Sequence, residues 1–103
     1  MEKNTPHYDL AVIKSEVRRL GQNAFTKTSV WSAEKLGFNV SEMQEIVFEL
    51  QTKMLYKSMT TYEDHRIWQD VYHINSRDQE IYIKVTYRPG GSPPVISFKE
   101  NNP

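Results

Sequence analysis

"QEIYIKVTYR", Gln79 to Arg88, decides how the chain is read. Its apolar and large residues Ile81, Ile83, Val85 and Tyr87 alternate with Glu80, Tyr82, Lys84 and Thr86. Successive side chains of a strand point to opposite faces, so this pattern describes a strand with one covered face and one left to polar groups. Downstream, "RPGGSPP" has the composition of a turn, and "VISFK" returns as the partner strand of a hairpin, with Ile96 and Phe98 as its expected core side chains. Upstream, two further strands fit around Leu55–Thr61 and Ile67–Ile74, joined by the polar "YEDHR".

Before Gln51 the period is helical. "NTPHYDLAVIKSEVRRLG" offers Thr5 as N-cap, Pro6 at the first helical position, Asp9 in the first turn, apolar Leu10, Ile13, Val17 and Leu20, and Gly21 as a stop. "TSVWSAEKLG" reads as a second, shorter helix ending at Gly37, with a short extended piece at Ala24 to Lys27 before it. In "FNVSEMQEIVFEL", Asn39 with Glu42, or Ser41 with Gln44, makes a capping box, and Phe38 is placed to staple onto Met43. The apolar face of this third helix is Val40, Met43, Ile46, Val47 and Leu50; Glu42, Glu45 and Glu49 fall on the solvated side. Helices followed by an antiparallel meander imply an α+β domain with helices on one face of a sheet. The 103 residues make one domain, 1–103, that buries about 60–65% of its unfolded surface, and the terminal "ENNP" is expected to fray.

Composition narrows the function classes. Thirteen Lys and Arg balance thirteen Asp and Glu, so no global field draws the chain to nucleic acid or to an anionic membrane, and any anion site is a local cluster. Without cysteine there is no disulfide framework or thiolate metal site, and the spacing of the three histidines, "EDH" included, matches no standard metal motif. No cofactor is expected. "MEKNTPHYDL" lacks the apolar core of a signal peptide, and the longest apolar run is Leu10 to Ile13, so the expectation is a soluble cytoplasmic protein.

The face opposite the helices should carry Tyr82, Lys84 and some of Tyr56, Lys57, Trp68, Gln69, Tyr72, His73 and Lys99. Aromatic rings beside cations suit single-stranded nucleic acid, because unstacked bases lie on rings while phosphates pair with ammonium groups. Tyrosine and tryptophan are also common in strands for packing alone.

"YKSMTTYEDHRIWQDVYH", Tyr56 to His73, followed by "IYIKVT" and "VISFKE", resembles the motility quorum-sensing regulator (MqsR) family of type II toxins, as do "MEKNTPH" and "AEKLG". The likeness runs from Met1 to Glu100. It implies a RelE-like fold and a ribosome-independent endoribonuclease that cuts mRNA at GC-containing, GCU-type sites. It also implies an MqsA-type antitoxin with zinc-binding and helix-turn-helix domains, with operator DNA reached only through that complex. Residue by residue, the family's proposed catalytic positions fall on Lys57 of "YKSMT", Gln69 of "IWQDVY", Tyr82 of "IYIKVT" and Lys99 of "SFKE". Tyr56 and Met59 match secondary positions, and Lys84 and His73 join them as expected RNA contacts. His73 stands where the family carries arginine, exchanging a permanent cation for an imidazole, and Arg66 is a candidate to compensate.

RNA brings its own nucleophile, the 2′-hydroxyl, so such a site needs neither a metal nor a serine. It must take the 2′-proton, stabilise the phosphorane and protonate the leaving 5′-oxygen. Lys57 and Lys99 are the expected charge stabilisers, each depressing the other's pKa if close. Two other readings use the same face: a non-cleaving RNA-binding module or transcriptional co-regulator, and a RelE/ParE-fold toxin acting by protein contact.

Overall fold

The computed structural model describes residues 1–101. Three helices, α1 (Leu10–Leu20), α2 (Lys27–Lys35) and α3 (Val40–Glu49), cover one face of a five-stranded antiparallel sheet. The strands are β1 (Glu2–Lys3), β2 (Leu55–Thr60), β3 (Trp68–Ser76), β4 (Gln79–Val85) and β5 (Val95–Glu100), lying side by side in chain order. The α+β arrangement agrees with the RelE-like architecture expected above.

Helix α1 begins later than the Thr5–Pro6 signal implied. Asp9 is its N-cap, accepting from the Ala11 amide at 2.9 Å, and of the segment before it Glu2–Lys3 pairs with β2 while residues 4–8 bend back toward the helix. Gly21 ends the helix at φ 58°, a conformation glycine adopts without steric cost. Phe25 forms an isolated parallel bridge to Val95, the extended piece expected before α2, and Thr26 caps that helix through Ser29. Of the two candidate boxes for α3, Asn39 and Glu42 form it: each side chain accepts from the other's backbone amide, at 2.8 and 3.0 Å.

The core lies between helices and sheet. Ile13 and Val17 from α1, Met43, Ile46 and Val47 from α3 and Leu50 after it meet Tyr72, Ile74, Ile81, Ile83, Val85 and Phe98. Val40 is only partly buried, and Phe38 sets its ring edge-on to Phe98, with centroids 6.2 Å apart. Tyr72, a candidate for the open face, is fully buried here because β3 alternates with Asp70, Tyr72 and Ile74 inward. Burial pushes its phenol up to about 12. Trp68 shares that inward parity and stacks on His7 with ring centroids 4.8 Å apart.

Two bulges re-aim side chains. Between Leu55 and Lys57 the β2 strand gains one residue against β3, and that residue is Tyr56. In the β4–β5 pairing, Val85 meets Val95 while Lys84 meets Ser97, so Ile96 is the extra residue. Val95 therefore takes the core position expected of Ile96, which turns to the opposite side. The β4 strand stops at Val85, and Tyr87 packs at the core's margin. Glu100 is paired in β5 and the Asn101 amide donates to Glu80, so the expected fraying does not begin there; Asn102 and Pro103 lie outside the described residues.

Glu45 and Glu49, assigned to the solvated side, hold the β3–β4 turn. Arg77 donates to both carboxylates at 2.9 Å, and Ser76 donates to Glu49 at 2.9 Å. Arg77 and Asp78 both have positive φ, 52° and 62°, the backbone that matches a two-residue hairpin to strand twist.

Asp70 is the buried polar hub. It is fully buried and accepts from the backbone amides of His7 and Tyr8 at about 3 Å and from the Ser58 hydroxyl at 2.5 Å. Asp70→Asn turns an amide NH2 toward some of these donors. Since hydrogen bonds to a charged acceptor are each worth about 1.5–3 kcal/mol, the variant is expected to lose about 2–4 kcal/mol in urea denaturation. A loss below about 0.5 kcal/mol, the scale of an ordinary surface substitution, would show that the hub is dispensable.

Candidate active site

The helices leave one sheet face uncovered, and β-sheet parity decides what stands on it. Across the strands, His73 faces Tyr82, Tyr82 faces Lys99, Lys57 faces Val71, Val71 faces Lys84, and Met59 faces Gln69. Lys57, Gln69, Tyr82 and Lys99 thus share this face with Tyr56, Met59, His73 and Lys84. These eight stand on one face, while Trp68 and Tyr72, the other candidates for it, point inward.

The face is organised as rows. Tyr56 stacks on His73 with centroids 4.4 Å apart and planes 16° from parallel; His73 in turn lies 5.7 Å from the Tyr82 ring. The Lys99 ammonium closes the row 5.0 Å from the Tyr82 centroid, and Lys84 approaches the same ring at 5.9 Å. Lys57 sits 5.5 Å from the Tyr56 ring. Rings attract cations through their quadrupoles, so three ammonium groups are held beside an aromatic platform despite their like charge. Val71 lies beneath them, completely buried yet outside the helix-side core. Its cross-strand neighbours are Lys57 and Lys84, whose aliphatic stems suit the task of covering it.

Electrostatics separates the lysines. Glu2, brought alongside β2 by the short β1 strand, accepts from the Lys57 ammonium at 2.9 Å. That bond raises the Lys57 pKa, and Lys57 lowers that of Glu2. The lysine driven the other way is Lys84: burial lowers its pKa, and Lys99 and Lys57 add to the effect. The mutual depression expected of Lys57 and Lys99 therefore falls on Lys84. Burial raises the Tyr82 phenol above its ordinary value against the opposing pull of Lys57, so the phenol keeps its proton at neutral pH.

Arg66, the candidate to compensate for His73, is engaged elsewhere. It stands in the β2–β3 loop, bonded to both Asp64 carboxylate oxygens at 3.1 and 3.2 Å. His65 occupies the same loop, exposed. Among the described residues no three His, Asp or Glu side chains converge as a metal site requires, and no helix is long and apolar enough to cross a membrane. Glu2, Val71 and Ile96 also stand on this face, beyond the residues expected from the sequence. Glu2 depends on a pairing between residues 2 and 59, and Ile96 on a bulge; only Val71 had a local signal, its parity with Gln69 and His73.

Comparison with known proteins bears on the whole of this face. The sequence profile described as "Motility quorum-sensing regulator, toxin of MqsA" matches residues 5–100. The chain belongs to this MqsR toxin family. A member from Escherichia coli (strain K12), named mRNA interferase toxin MqsR, is 39% identical over 100 residues, covering 97% of this chain and 99% of that protein. The profile match spans β2 to β5 and leaves out β1, so every residue of the uncovered face except Glu2 lies within it.

The two classes of lysine can be told apart by NMR titration of the lysine side chains. Lys84 is expected to lose its proton at lower pH than Lys57, Lys99→Ala to raise the Lys84 pKa, and Glu2→Gln to lower that of Lys57. Coincident titration of Lys57 and Lys84 would contradict the electrostatic asymmetry described.

Proposed function

We propose that the chain is the toxin of a type II toxin–antitoxin pair, an endoribonuclease that cleaves mRNA at GCU-type sites independently of the ribosome. The observation that carries this reading is the uncovered face itself: a three-ring platform edged by three ammonium groups, in a chain whose relative is named an mRNA interferase toxin. Bases stack on Tyr56, His73 and Tyr82 while the lysines hold the backbone phosphate.

The electrostatics supports a division of catalytic roles. Lys57, kept protonated by Glu2, and Lys99 stabilise the charge that grows on the phosphorane. Lys84, whose neutral form burial and its neighbours favour, takes the 2′-proton as the 2′-oxygen attacks phosphorus. The P–O5′ bond breaks, and Tyr82, which retains its proton, supplies it to the 5′-oxygen. The products are a 2′,3′-cyclic phosphate and a 5′-hydroxyl. Gln69 orients the substrate, and Met59 packs beside it.

The reading carries partners with it. A family described as the toxin of MqsA implies an antitoxin of that type, with zinc-binding and helix-turn-helix domains, and operator DNA reached through the complex. Its compartment is then the cytoplasm, where its mRNA substrate and antitoxin are made.

In the presence of EDTA, the purified protein should cut a GCU-containing RNA and spare the matching single-stranded DNA, leaving cyclic phosphate and 5′-hydroxyl ends. Lys57→Ala and Tyr82→Ala should each lower the rate about a hundredfold or more while circular dichroism stays native. Unimpaired cleavage by both folded variants would remove them from the chemistry, and intact RNA from the folded wild type would reject the nuclease.

A further inference from the structure

A cavity of about 590 Å³ opens at the end of the uncovered face, between the β2–β3 and β4–β5 connections. Gln69, Lys84 and Met59 form its inner rim, and it extends from them to Ile67, Ile96 and Glu63, away from the aromatic row. Its position along β3 is set by Gln69, four residues from His73, a distance of about 13 Å at strand spacing. An RNA strand lying along β3 reaches both places.

The loop that walls it is internally braced. The Thr61 hydroxyl donates to the Asp64 carbonyl oxygen at 2.6 Å and accepts from the Asp64 amide at 3.0 Å; the Thr61 amide donates to Ile67 at 2.9 Å. The Asp64 carboxylate is spent on Arg66. Among the polar side chains lining the cavity, the Gln69 amide and the Glu63 carboxylate, like Tyr62, Lys84, Arg88 and Ser92, have no hydrogen-bond partner among the described residues. Met59, Ile67 and Ile96 supply apolar surface.

This chemistry differs from that of the lysine cluster. The outer wall sets Glu63 and the Arg66-paired Asp64 beside Arg88 and so carries no excess of positive charge, while apolar surface and an amide suit a flat ring with a polar edge. A carboxylate only accepts, and an amide both donates and accepts. Adenine, cytosine and guanine each offer an exocyclic amino group to such a pair, whereas uracil offers a single ring N–H.

We propose that this cavity is a base-reading subsite that takes an unstacked, amino-bearing nucleobase of the RNA while the adjacent lysines hold its backbone. The inference rests on the RNA-cleaving reading above and adds the residues that set its preference: Gln69 and Glu63 read the base edge, and Ile67 and Ile96 bound its plane.

Two measurements test it separately. In the first, methyl signals of Met59, Ile67 and Ile96 are followed by NMR while AMP, CMP, GMP, UMP and inorganic phosphate are titrated into the wild type. The purine nucleotides and CMP should move these methyls saturably, UMP more weakly, and inorganic phosphate not at all. Methyls unmoved by any nucleotide, or moved alike by inorganic phosphate, would overturn the subsite. In the second, RNAs differing in one base beside the cleaved bond are compared. Ile67→Trp, which fills the cavity, should lower cleavage of the best substrate about tenfold and flatten the preference, and Glu63→Gln, on an exposed side chain, should weaken discrimination against uracil by about the same factor. Active variants that both keep the wild-type preference would sink the subsite and leave the nuclease standing. A wild type that binds nucleotides in the cavity but cuts no RNA would do the reverse.

Discussion

Asp70 is the constraint on which the rest depends. Its carboxylate sits at the middle of the sheet's helix side, where an acceptor without donors would cost several kcal/mol, and the donors are drawn from two distant places. Ser58 supplies one from the neighbouring strand, while the backbone of His7 and Tyr8 supplies the others. Satisfying one buried carboxylate therefore fixes the course of the N-terminal segment. That course decides where α1 starts, lays β1 against β2, and delivers Glu2 to Lys57 on the opposite face. Tyr8 strengthens the strap by donating to the Trp68 carbonyl oxygen at 3.0 Å, and the His7 ring stacked on Trp68 closes that edge, with Lys3 4.3 Å above the indole.

A sheet covered on one side only has to make its other side compatible with water, and polar side chains do this without a second layer of helices. Here the polar side chains are unevenly distributed. The chain's net charge is zero, yet Lys57, Lys84 and Lys99 gather around two rings, and only Lys57 has a carboxylate partner among the described residues. Attraction for an anion is therefore short-ranged and local, which favours recognition of a strand already in contact over long-range steering. The same imbalance singles out Lys84. It is the most enclosed of the three and has cations on both flanks, so its neutral form gains where that of Lys57 loses.

What could be read beforehand was what periodicity and local capping encode. The β4 alternation, which sets Tyr82 and Lys84 opposite the core, and the Asn39–Glu42 box are properties of short windows, and each appears as the sequence implies. Thr5–Pro6 carried as good a local signal for a helix start, but a tertiary bond to Asp70 outweighed it and moved the cap to Asp9. Tyr72 looked like one more surface tyrosine until its parity with Asp70 placed it in the core. Glu45 and Glu49 read as solvated because the arginine that binds them is 28 to 32 residues away. The shifted cap and the two glutamates belong to long-range contacts that no window of sequence contains, whereas the parity of Tyr72 with Asp70 is local.

The two bulges show why this matters for the site. A regular β2 would alternate Tyr56 inward against the helices, where its hydroxyl would need a partner; the extra residue lets Tyr56 and Lys57 stand on the same side. Tyr56 is 56% exposed as a result and is free to stack on His73. In β5 the bulge sends Val95 to the core and Ile96 to the cavity wall, so one irregularity repairs the packing beneath Val85 and supplies apolar surface above. Both bulges sit at points where a strand must serve the core and the open face within consecutive residues. Regular alternation allows one residue per face in turn, and a platform of adjacent rings, cations and apolar walls requires more. The irregularities of the sheet are thus where its two obligations, packing and recognition, are reconciled.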